Sequence, residues 1–241
     1  MNKLNSRKSI LACALLLLAA GAARAQAPEP TQTPSPQAQT TPSPSPAQTT
    51  PSPQSPQPAG SYAALVERAK KGDAGVDFRA LRMAFYETDN YNPIAPMMTY
   101  RSLWGAIQQQ DWAGAIKLAE SVLEKNFVEV NAHMVAYIAH RQSGNEERAG
   151  FHRAIAEGLL NSIKASGDGK TTATAFEVIS TSEEYGLFRS MNLSPVRQSL
   201  LEDKGSTFDA IETVDPRTNA RATFYFKVDK PLRWNDRKRK Q

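Results

Sequence analysis

Cysteine is almost missing from this chain: Cys13 is the only one in 241 residues, and it lies in an N-terminal segment with the pattern of a cleaved leader. Three cations there precede an apolar run over residues 10–20, and Ala23-Arg24-Ala25 fits a small-x-small cleavage site. We therefore predict a signal peptide over residues 1–25. The mature chain then has no thiol, which excludes disulfides, cysteine-based catalysis and zinc–cysteine sites.

A long apolar run is also missing. The run at residues 10–20 is too short to cross a bilayer stably, so we predict no transmembrane segment. Because the leader has the pattern of a cleaved signal, we expect an exported protein of the periplasm or the cell surface.

Outside its N-terminal and C-terminal segments, the chain has no surplus of positive charge. Removing the four cations of residues 1–25 and the acid Glu29 from 29 cationic and 24 acidic residues leaves 25 and 23. The tail, residues 233–241, holds five of these cations and one acid, so the body is slightly acidic. A basic channel for nucleic acid is therefore excluded. We predict that the tail is a frayed, solvated end.

Residues 26–60 lack large apolar side chains and carry Glu29 as their only charge. They consist almost entirely of Pro, Ser, Thr, Gln and Ala, which cannot offset their ordering entropy by burial. We predict a disordered linker that acts as a spacer between the domain and a membrane or cell wall. The alternative is a docking site or a glycosylated stalk.

What is present from residue 61 onward predicts one α+β domain over residues 61–241. Its first part, residues 61–165, has apolar residues at helical spacing, interrupted by turn residues. The expected helices are residues 61–71, a helix capped by Asp77, and residues 97–109, 111–125, 128–142 and 145–165.

The last four of these helices form two predicted antiparallel hairpins. Ala115 and Ala149 follow the two turns at equivalent places, and 149 − 115 = 34, the period of tetratricopeptide repeats. However, Arg153 falls opposite Ala119, and the consensus glycine and proline are missing. The helical part is therefore either a degenerate tetratricopeptide-like pair or two ordinary hairpins whose spacing coincides.

All three histidines fall in the second hairpin. His133 and His140 lie seven residues apart on one helix, about 10 Å along its axis, which is too far for them to ligate one metal. Folding at Ser143-Gly144 places His152 about one turn from each. We expect one His–His approach but no convergence of all three, and we predict no metal site. His133 and His140 are interpreted as packed or surface residues.

The segment Ser166-Gly-Asp-Gly-Lys170 invites comparison with a phosphate-binding loop. The comparison fails because a helix precedes the segment and Lys164 stands where the first glycine is required. Gly167 suits the left-handed position that ends a helix, and Asp168 can accept hydrogen bonds from amides of the turn. The alternative is a nest of amides that holds an anion together with Lys170.

Residues 175–180 predict a short strand, and Thr181-Ser-Glu-Glu184 matches a capping box in which Glu184 reaches back to the start of a helix. Glu183 is then a solvated partner of the helix dipole, and Tyr185 a packing residue. Strands follow at residues 198–202, 207–214 and 221–228, with a turn at Asp203-Lys-Gly-Ser206 between the first two. Residues 166–232 are therefore expected to form a seam and a small antiparallel β-meander.

Several short motifs together resemble a bacterial exported family that is catalogued only as a domain of unknown function. They lie between roughly Ala80 and Asp229. The resemblance implies an exported helical-plus-meander domain without a known activity, and it strengthens His152, Asp168, Glu183 and Tyr185 as candidates. The motifs are Phe151-His152, Ser166-Gly-Asp-Gly-Lys170, Ala175-Phe176, Val178-Ile-Ser180, Glu183-Glu-Tyr185, Gln198-Ser-Leu200, Phe208-Asp209 and Tyr225-Phe226.

Three functions are compatible with these features. The leading hypothesis is an envelope-associated binding or interaction module for a protein segment or a small polar ligand. The second is a hydrolase-like or metal-dependent enzyme that uses His152 with Asp168 or Glu183. The third is a purely structural envelope component. We expect a monomer, with no cofactor and no nucleic-acid partner.

The candidate ligand-binding residues are His152, Asp168, Lys170, Glu183 and Tyr185. We expect two clusters, His152 with Glu183 and Tyr185 at one place and Asp168 with Lys170 at another. A carboxylate beside His152 would raise the pKa of its imidazole.

Overall fold

The structure is a computed structural model that describes residues 60–239, with side chains described as far as Trp234. The predicted signal peptide and residues 26–59 of the predicted linker lie outside the described residues. Among the helices of residues 60–239, none combines the length and the apolar character that a bilayer crossing requires.

The described residues form six α-helices, then a seam with a short strand and a seventh α-helix, then three strands and a C-terminal helix. This α+β order, with helices preceding strands, confirms the predicted fold class. The elements are α1 (Tyr62–Lys70), α2 (Phe78–Tyr86), α3 (Ala95–Gln108), α4 (Trp112–Lys125), α5 (Val130–Gln142), α6 (Glu146–Lys164), β1 (Phe176–Glu177), α7 (Thr181–Ser190), β2 (Ser194–Asp203), β3 (Ser206–Val214), β4 (Arg221–Lys227) and α8 (Asp229–Arg239).

Three helices begin where the sequence places a capping side chain. The carboxylates of Asp77 and Asp111 and the amide oxygen of Asn145 each accept a hydrogen bond from the backbone three residues further on. Ala115 and Ala149 are both buried in the two hairpins, at 0 % and 1 % exposure. The relation of these hairpins to tetratricopeptide repeats stays a prediction.

Two apolar clusters hold the described domain together. The smaller one joins α3, α4 and α5 through residues such as Leu103 and Val135. The larger one joins α1, α2, α5, α6 and α7 to the sheet, so that Leu159 of α6 and Phe226 of β4 belong to the same cluster. Because one core is shared, the helical part and the sheet stabilise each other.

The sheet has the strand order β1-β4-β3-β2. The pairs β2–β3 and β3–β4 are antiparallel, as predicted for the meander, and Lys204 and Gly205, both at positive φ, form the tight turn between β2 and β3. The strand predicted at residues 175–180 is only two residues long. It pairs in parallel with β4 through Phe176 and Phe226, which makes the sheet mixed.

The glycine-rich loop departs from its predicted geometry at one position. The left-handed residue is Gly169, at φ +68°, and not Gly167. Gly167 is needed for a different reason, because a Cβ atom there would lie 2.2 Å from the carbonyl oxygen of Thr174. Asp168 does cap the turn as predicted, since its Oδ1 accepts a hydrogen bond from the amide of Lys170 at 3.0 Å.

The predicted capping box at the start of α7 is wrong. Ser180 is the N-cap residue, without a side-chain cap, and α7 begins at Thr181. Glu184 cannot reach back to the helix start because its side chain is fully buried. It points instead toward Asp209 of β3.

The predicted solvated tail is also corrected. Residues from Asp229 to Arg239 form α8, and the indole Nε1 of Trp234 donates a hydrogen bond to the carbonyl oxygen of Tyr91 at 2.8 Å. Trp234 packs against the larger apolar cluster, most of whose residues are distant from it in sequence. This contact holds the first turns of α8 in place although the segment is strongly cationic.

Candidate functional site

The five predicted site residues lie in three places rather than two. His152 lies between α5 and α6, Glu183 and Tyr185 lie on α7, and Asp168 and Lys170 lie together in the glycine-rich loop. His152 does not meet Glu183, because Glu183 binds Arg82, and Arg82 contacts α6 at Ser162. Ser162 is ten residues beyond His152, which corresponds to about 15 Å along the helix.

The three histidines form a buried row, which corrects the expectation that they do not converge. The Nδ1 atoms of His133 and His152 are 3.0 Å apart, and the ring of His140 stacks on that of His152 at 5.5 Å. His152 therefore lies between the other two. Within residues 60–239, no group of three or more histidines and carboxylates has a geometry that could hold a metal ion.

One set of tautomers satisfies His133 and His152 without a charge on either ring, whereas Nε2 of His140 has no hydrogen-bond partner among residues 60–239. The Nε2 atom of His133 donates to the carbonyl oxygen of Phe127 at 2.8 Å, so its Nδ1 is free to accept from Nδ1–H of His152. The Nε2 atom of His152 then accepts from Arg148 at 3.4 Å. Burial lowers the pKa of His133 to about 4 and, together with the neighbouring His133 and Arg148, that of His152 to about 3. The predicted rise in the pKa of His152 is therefore wrong.

Glu183 is buried in an ion pair. The expectation that it is a solvated partner of the helix dipole is therefore wrong. Its two carboxylate oxygens accept hydrogen bonds from Nε and Nη2 of Arg82, each at 2.7 Å, and Oε2 also accepts the amide of Ile179. Arg82 donates further to Ser162 and to the carbonyl of Glu177. This network ties α2, α6 and α7 together and is a structural element.

Asp168 and Lys170 form the predicted second cluster, but on the surface. Their side chains are 53 % and 76 % exposed and 3.8 Å apart. The loop amides are occupied within the turn, since Gly169 donates to the carbonyl of Thr174 and Lys170 to Asp168. The structural interpretation of this loop is therefore favoured over an anion-binding nest. The ligand-binding role of all five residues stays a prediction.

Sequence reasoning missed a pair of buried carboxyl groups, Glu184 of α7 and Asp209 of β3. The two carboxyl groups interact with each other, and neither oxygen of Glu184 has a hydrogen-bond partner of ordinary geometry among residues 60–239. Burial, followed by the charges of Asp209 and Glu183, raises the pKa of Glu184 well above 4.5. Burial therefore favours the neutral form of Glu184, and two neighbouring carboxyl groups in such surroundings can share one proton.

A thin polar layer covers this carboxyl pair on the solvent side. Asp209 accepts a hydrogen bond from Gln198 of β2, and the hydroxyl of Tyr185 donates to Oε1 of Gln198 at 3.3 Å. Tyr185 is 37 % exposed. Only the alternation of residues in β3 hinted at this pair, by placing the acidic Asp209 on the same face as Ile211.

The cavity best suited to a ligand lies between the loop after α2, the start of α3 and the end of α4. We call it the α3–α4 cleft. Its volume is about 410 Å³, and Phe85, Pro96 and Val122 form its apolar part. The polar lining includes Asn92, Thr99, Ser121, Glu124, Lys125 and Asn126. The wall therefore combines an apolar part with several polar groups, and sites for small polar molecules need both.

A much smaller space adjoins the cleft and shares the walls Phe85, Asn92, Pro96 and Asn126 with it. We call it the Glu129 chamber, because the side chains of Glu129 and Glu183 line its inner end. Its volume is about 10 Å³, room for about one water-sized group. The buried residue Glu129 thus lines a space that has four lining residues in common with the cleft.

Glu129 is the buried group that could interact with a ligand there. It is 3 % exposed, and its Oε1 accepts hydrogen bonds from the hydroxyl of Ser182 at 2.5 Å and from the backbone and side-chain amides of Asn131. Within residues 60–239, no donor hydrogen bonds to its Oε2. Burial raises the pKa of Glu129 and the charge of Glu183 adds to this, while Ser182 and Asn131 act in the opposite direction.

Comparison with known proteins gives one match. The sequence model of a family described as "Domain of unknown function (DUF4919)" matches residues 57–237. No curated protein and no solved structure matches the chain.

Proposed function

The chain belongs to the DUF4919 family, a domain of unknown function, and on that premise we propose that it is an exported, envelope-associated binding module. Its ligand is a small polar molecule, or a polar side chain of a protein segment, held in the α3–α4 cleft. The leader pattern of residues 1–25 and the proline-rich residues 26–60 support the export and the envelope location.

The observation that carries this proposal is a buried carboxyl group, Glu129, that lines a space next to the cleft, where the two spaces share four lining residues. Most buried carboxyl groups use their oxygens in internal hydrogen bonds, as Glu183 does with Arg82. Glu129 accepts all three of its hydrogen bonds from the described residues on Oε1, and it is one of the residues that line the chamber. A polar group that remains available at the end of a cavity of ligand size is the usual arrangement of a binding site.

The geometry does not favour the enzyme hypothesis. A hydrolase-like site built on His152 would need Asp168 or Glu183 beside it, and a ring that solvent can reach. His152 is 2 % exposed, contacts two other histidines, and lies away from both carboxylates. Its surroundings also favour the neutral ring far below neutral pH.

A thermal-shift experiment on the full chain tests the cleft. We would use a panel of amino acids, amines, sugars and hydroxy acids, and compare wild type with Ser121→Trp, which fills the cleft from an exposed position of α4. The control is Ser102→Trp on the exposed face of α3, outside the cleft lining. A ligand at ten times its Kd adds about 1.4 kcal/mol of stability, or about 3–6 °C in Tm.

We expect at least one panel member to raise the Tm of wild type and of Ser102→Trp, but not that of Ser121→Trp. Both variants should keep the wild-type circular dichroism spectrum. A shift that survives Ser121→Trp would place the ligand outside the cleft and overturn the proposed site.

A further inference from the structure

The size of the Glu129 chamber limits what can enter it. A space of about 10 Å³ holds one water-sized group, and an ammonium group has about that size. A planar guanidinium, a sugar ring or a trimethylammonium group is too large. The body of any ligand must therefore remain in the adjoining cleft of about 410 Å³.

The hydrogen-bonding groups at the inner end of the chamber offer an acceptor. The Oε2 atom of Glu129 accepts no hydrogen bond from the described residues, whereas the three hydrogen bonds of its Oε1 hold the carboxyl group in place. The hydroxyl of Tyr91 donates to the carbonyl of Ile179. The guanidinium of Arg82 is directed at Glu183, Ser162 and Glu177.

The charges around the chamber favour a cation. Glu129 and Glu183 are both acidic, and Arg82 is the cation that balances Glu183. Glu129 also stands at the N-cap of α5, where the helix dipole stabilises its ionised form. An entering anion would meet two carboxyl groups, whereas an entering cation would complete a second ion pair.

We propose that the Glu129 chamber binds the primary ammonium group of a ligand whose body lies in the α3–α4 cleft, with Oε2 of Glu129 as its counter-ion. This inference rests on the proposed function and specifies its ligand class. The ammonium group donates to Oε2 of Glu129, and its remaining donors face the polar walls that the chamber shares with the cleft. An alcohol of the same length lacks the charge, and a trimethylated amine does not fit.

The test compares three probes of equal chain length: 5-aminopentan-1-ol, pentane-1,5-diol and 5-hydroxypentyl-trimethylammonium. Each is titrated into the ¹⁵N-labelled full chain at pH 8, up to about 50 mM, because ligands of this size bind with millimolar Kd. The amide signals of Asn131 and Ser182 report on the chamber. We expect the amine to bind about tenfold or more tightly than the diol, and the trimethylated probe to leave both signals unshifted.

Two variants separate the counter-ion from the general charge of the domain. Glu129→Gln keeps an acceptor for Ser182 and Asn131, and we expect it to weaken binding of the amine about tenfold or more. The matched control is Glu120→Gln, an exposed carboxylate of α4 outside the cleft lining, for which we expect less than about a twofold change.

The pH dependence in wild type gives a test that does not need any variant to fold. The amine stays cationic from pH 5 to pH 8, so its Kd should rise as the pH falls and Glu129 gains a proton. Among the described residues, Glu183 of α7 acts on Glu129 through its charge, Arg82 of α2 is the ion-pair partner of Glu183, and Tyr91 also lines the chamber. His133, one turn further along α5, has a pKa of about 4 and is neutral throughout this range.

Each contrary outcome overturns the ammonium inference. Equal affinity for the diol and the amine would show that the chamber does not distinguish a charged group from an uncharged one. Binding that strengthens as the pH falls would show that a neutral Glu129 donates to an acceptor instead. No shift at about 50 mM amine would show that the chamber does not take an ammonium group. If Ser121→Trp abolishes probe binding and Glu129→Gln does not, the cleft stands as a binding site and only the counter-ion is wrong.

Discussion

The histidine row and the carboxyl pair are buried polar clusters of opposite chemical type in two parts of the same domain. His133, His140 and His152 lie between α5 and α6, and Glu184 and Asp209 lie between α7 and β3. In both places burial favours the neutral form, so the pKa values of the histidines fall and that of Glu184 rises. Each cluster is therefore stable in its uncharged state. The histidine row loses that stability as the pH falls, and the carboxyl pair loses it as the pH rises.

The sign follows from the protons that each state binds. In the unfolded chain, histidine takes up a proton below about pH 6.5. In the folded protein, His133 and His152 stay neutral down to about pH 4 and about pH 3. Their contribution to the free energy of unfolding is therefore complete above about pH 6.5 and is lost as the pH falls. In the unfolded chain, Glu184 loses its proton above about pH 4.5, whereas burial in the folded protein favours the protonated form. The contribution of Glu184 to the free energy of unfolding is therefore present below about pH 4.5 and is lost as the pH rises.

The Arg82–Glu183 ion pair differs from both clusters, because its two members are buried and charged. The largest expected effect is therefore its disruption by Glu183→Gln, which leaves Arg82 charged without a counter-ion and should cost about 3–5 kcal/mol in urea unfolding at pH 7. The control is Glu157→Gln in the exposed pair with Arg153, which should cost less than about 0.5 kcal/mol. A loss below about 1 kcal/mol for Glu183→Gln would show that the buried pair does not hold α2, α6 and α7 together.

The second effect concerns the acid side of the stability curve. Each of His133 and His152 should lower the free energy of unfolding by about 2 kcal/mol between pH 7.5 and pH 5. In His152→Phe, urea unfolding at these two pH values should show an acid loss smaller than that of wild type by about 2 kcal/mol. Arg153→Ala, exposed on the same helix, should keep the wild-type loss. Equal losses in His152→Phe and wild type would mean that His152 is already protonated in the folded protein at neutral pH.

The third effect concerns the alkaline side. Glu184→Gln replaces the shared proton by an amide that donates to Asp209 at any pH, so it should be more stable than wild type at pH 8 by about 1–2 kcal/mol. The advantage should shrink as the pH falls toward 4.5. Glu202→Gln, an exposed carboxylate on β2, is the matched control and should not change the curve. If Glu184→Gln loses stability at pH 8, the carboxyl pair is ionised and held by groups other than a shared proton.

The smallest effect tests how far the carboxyl pair depends on its cover. Tyr185→Phe removes a partly exposed hydrogen bond to Gln198 and leaves the contact between Gln198 and Asp209 intact. The free energy of unfolding should fall by less than about 1 kcal/mol, and the alkaline side of the curve should keep its shape. A change of that shape would make Tyr185 part of the shared-proton network.

Features that depend on a few neighbouring residues were predicted well. The caps Asp77, Asp111 and Asn145 and the turn at Lys204-Gly205 are at the expected places, because a capping side chain or a left-handed residue acts over three or four residues. The capping box at Thr181 was wrong although it is equally local. Burial of Glu184 against Asp209, which is 25 residues away, overrides the local preference.

The candidate site was predicted less well because its residues come from distant parts of the chain. Glu129 has no motif around it, and its partners Ser182 and Asn131 come together only when α7 packs on α5. His152 and Glu183 were expected to meet because a strand of six residues would carry the chain back along α6. The strand is only two residues long, and the chain turns earlier, toward Arg82.

The sequence by itself determined the α+β order, the helix starts, the antiparallel meander and the lack of a thiol after Cys13. Each of these follows from composition, or from periodicity within one element. Tertiary structure alone decided which polar groups are buried together and therefore which are charged. A pKa depends on every group within several ångströms, and for the histidine row, the carboxyl pair and Glu129 those groups lie on other helices and strands.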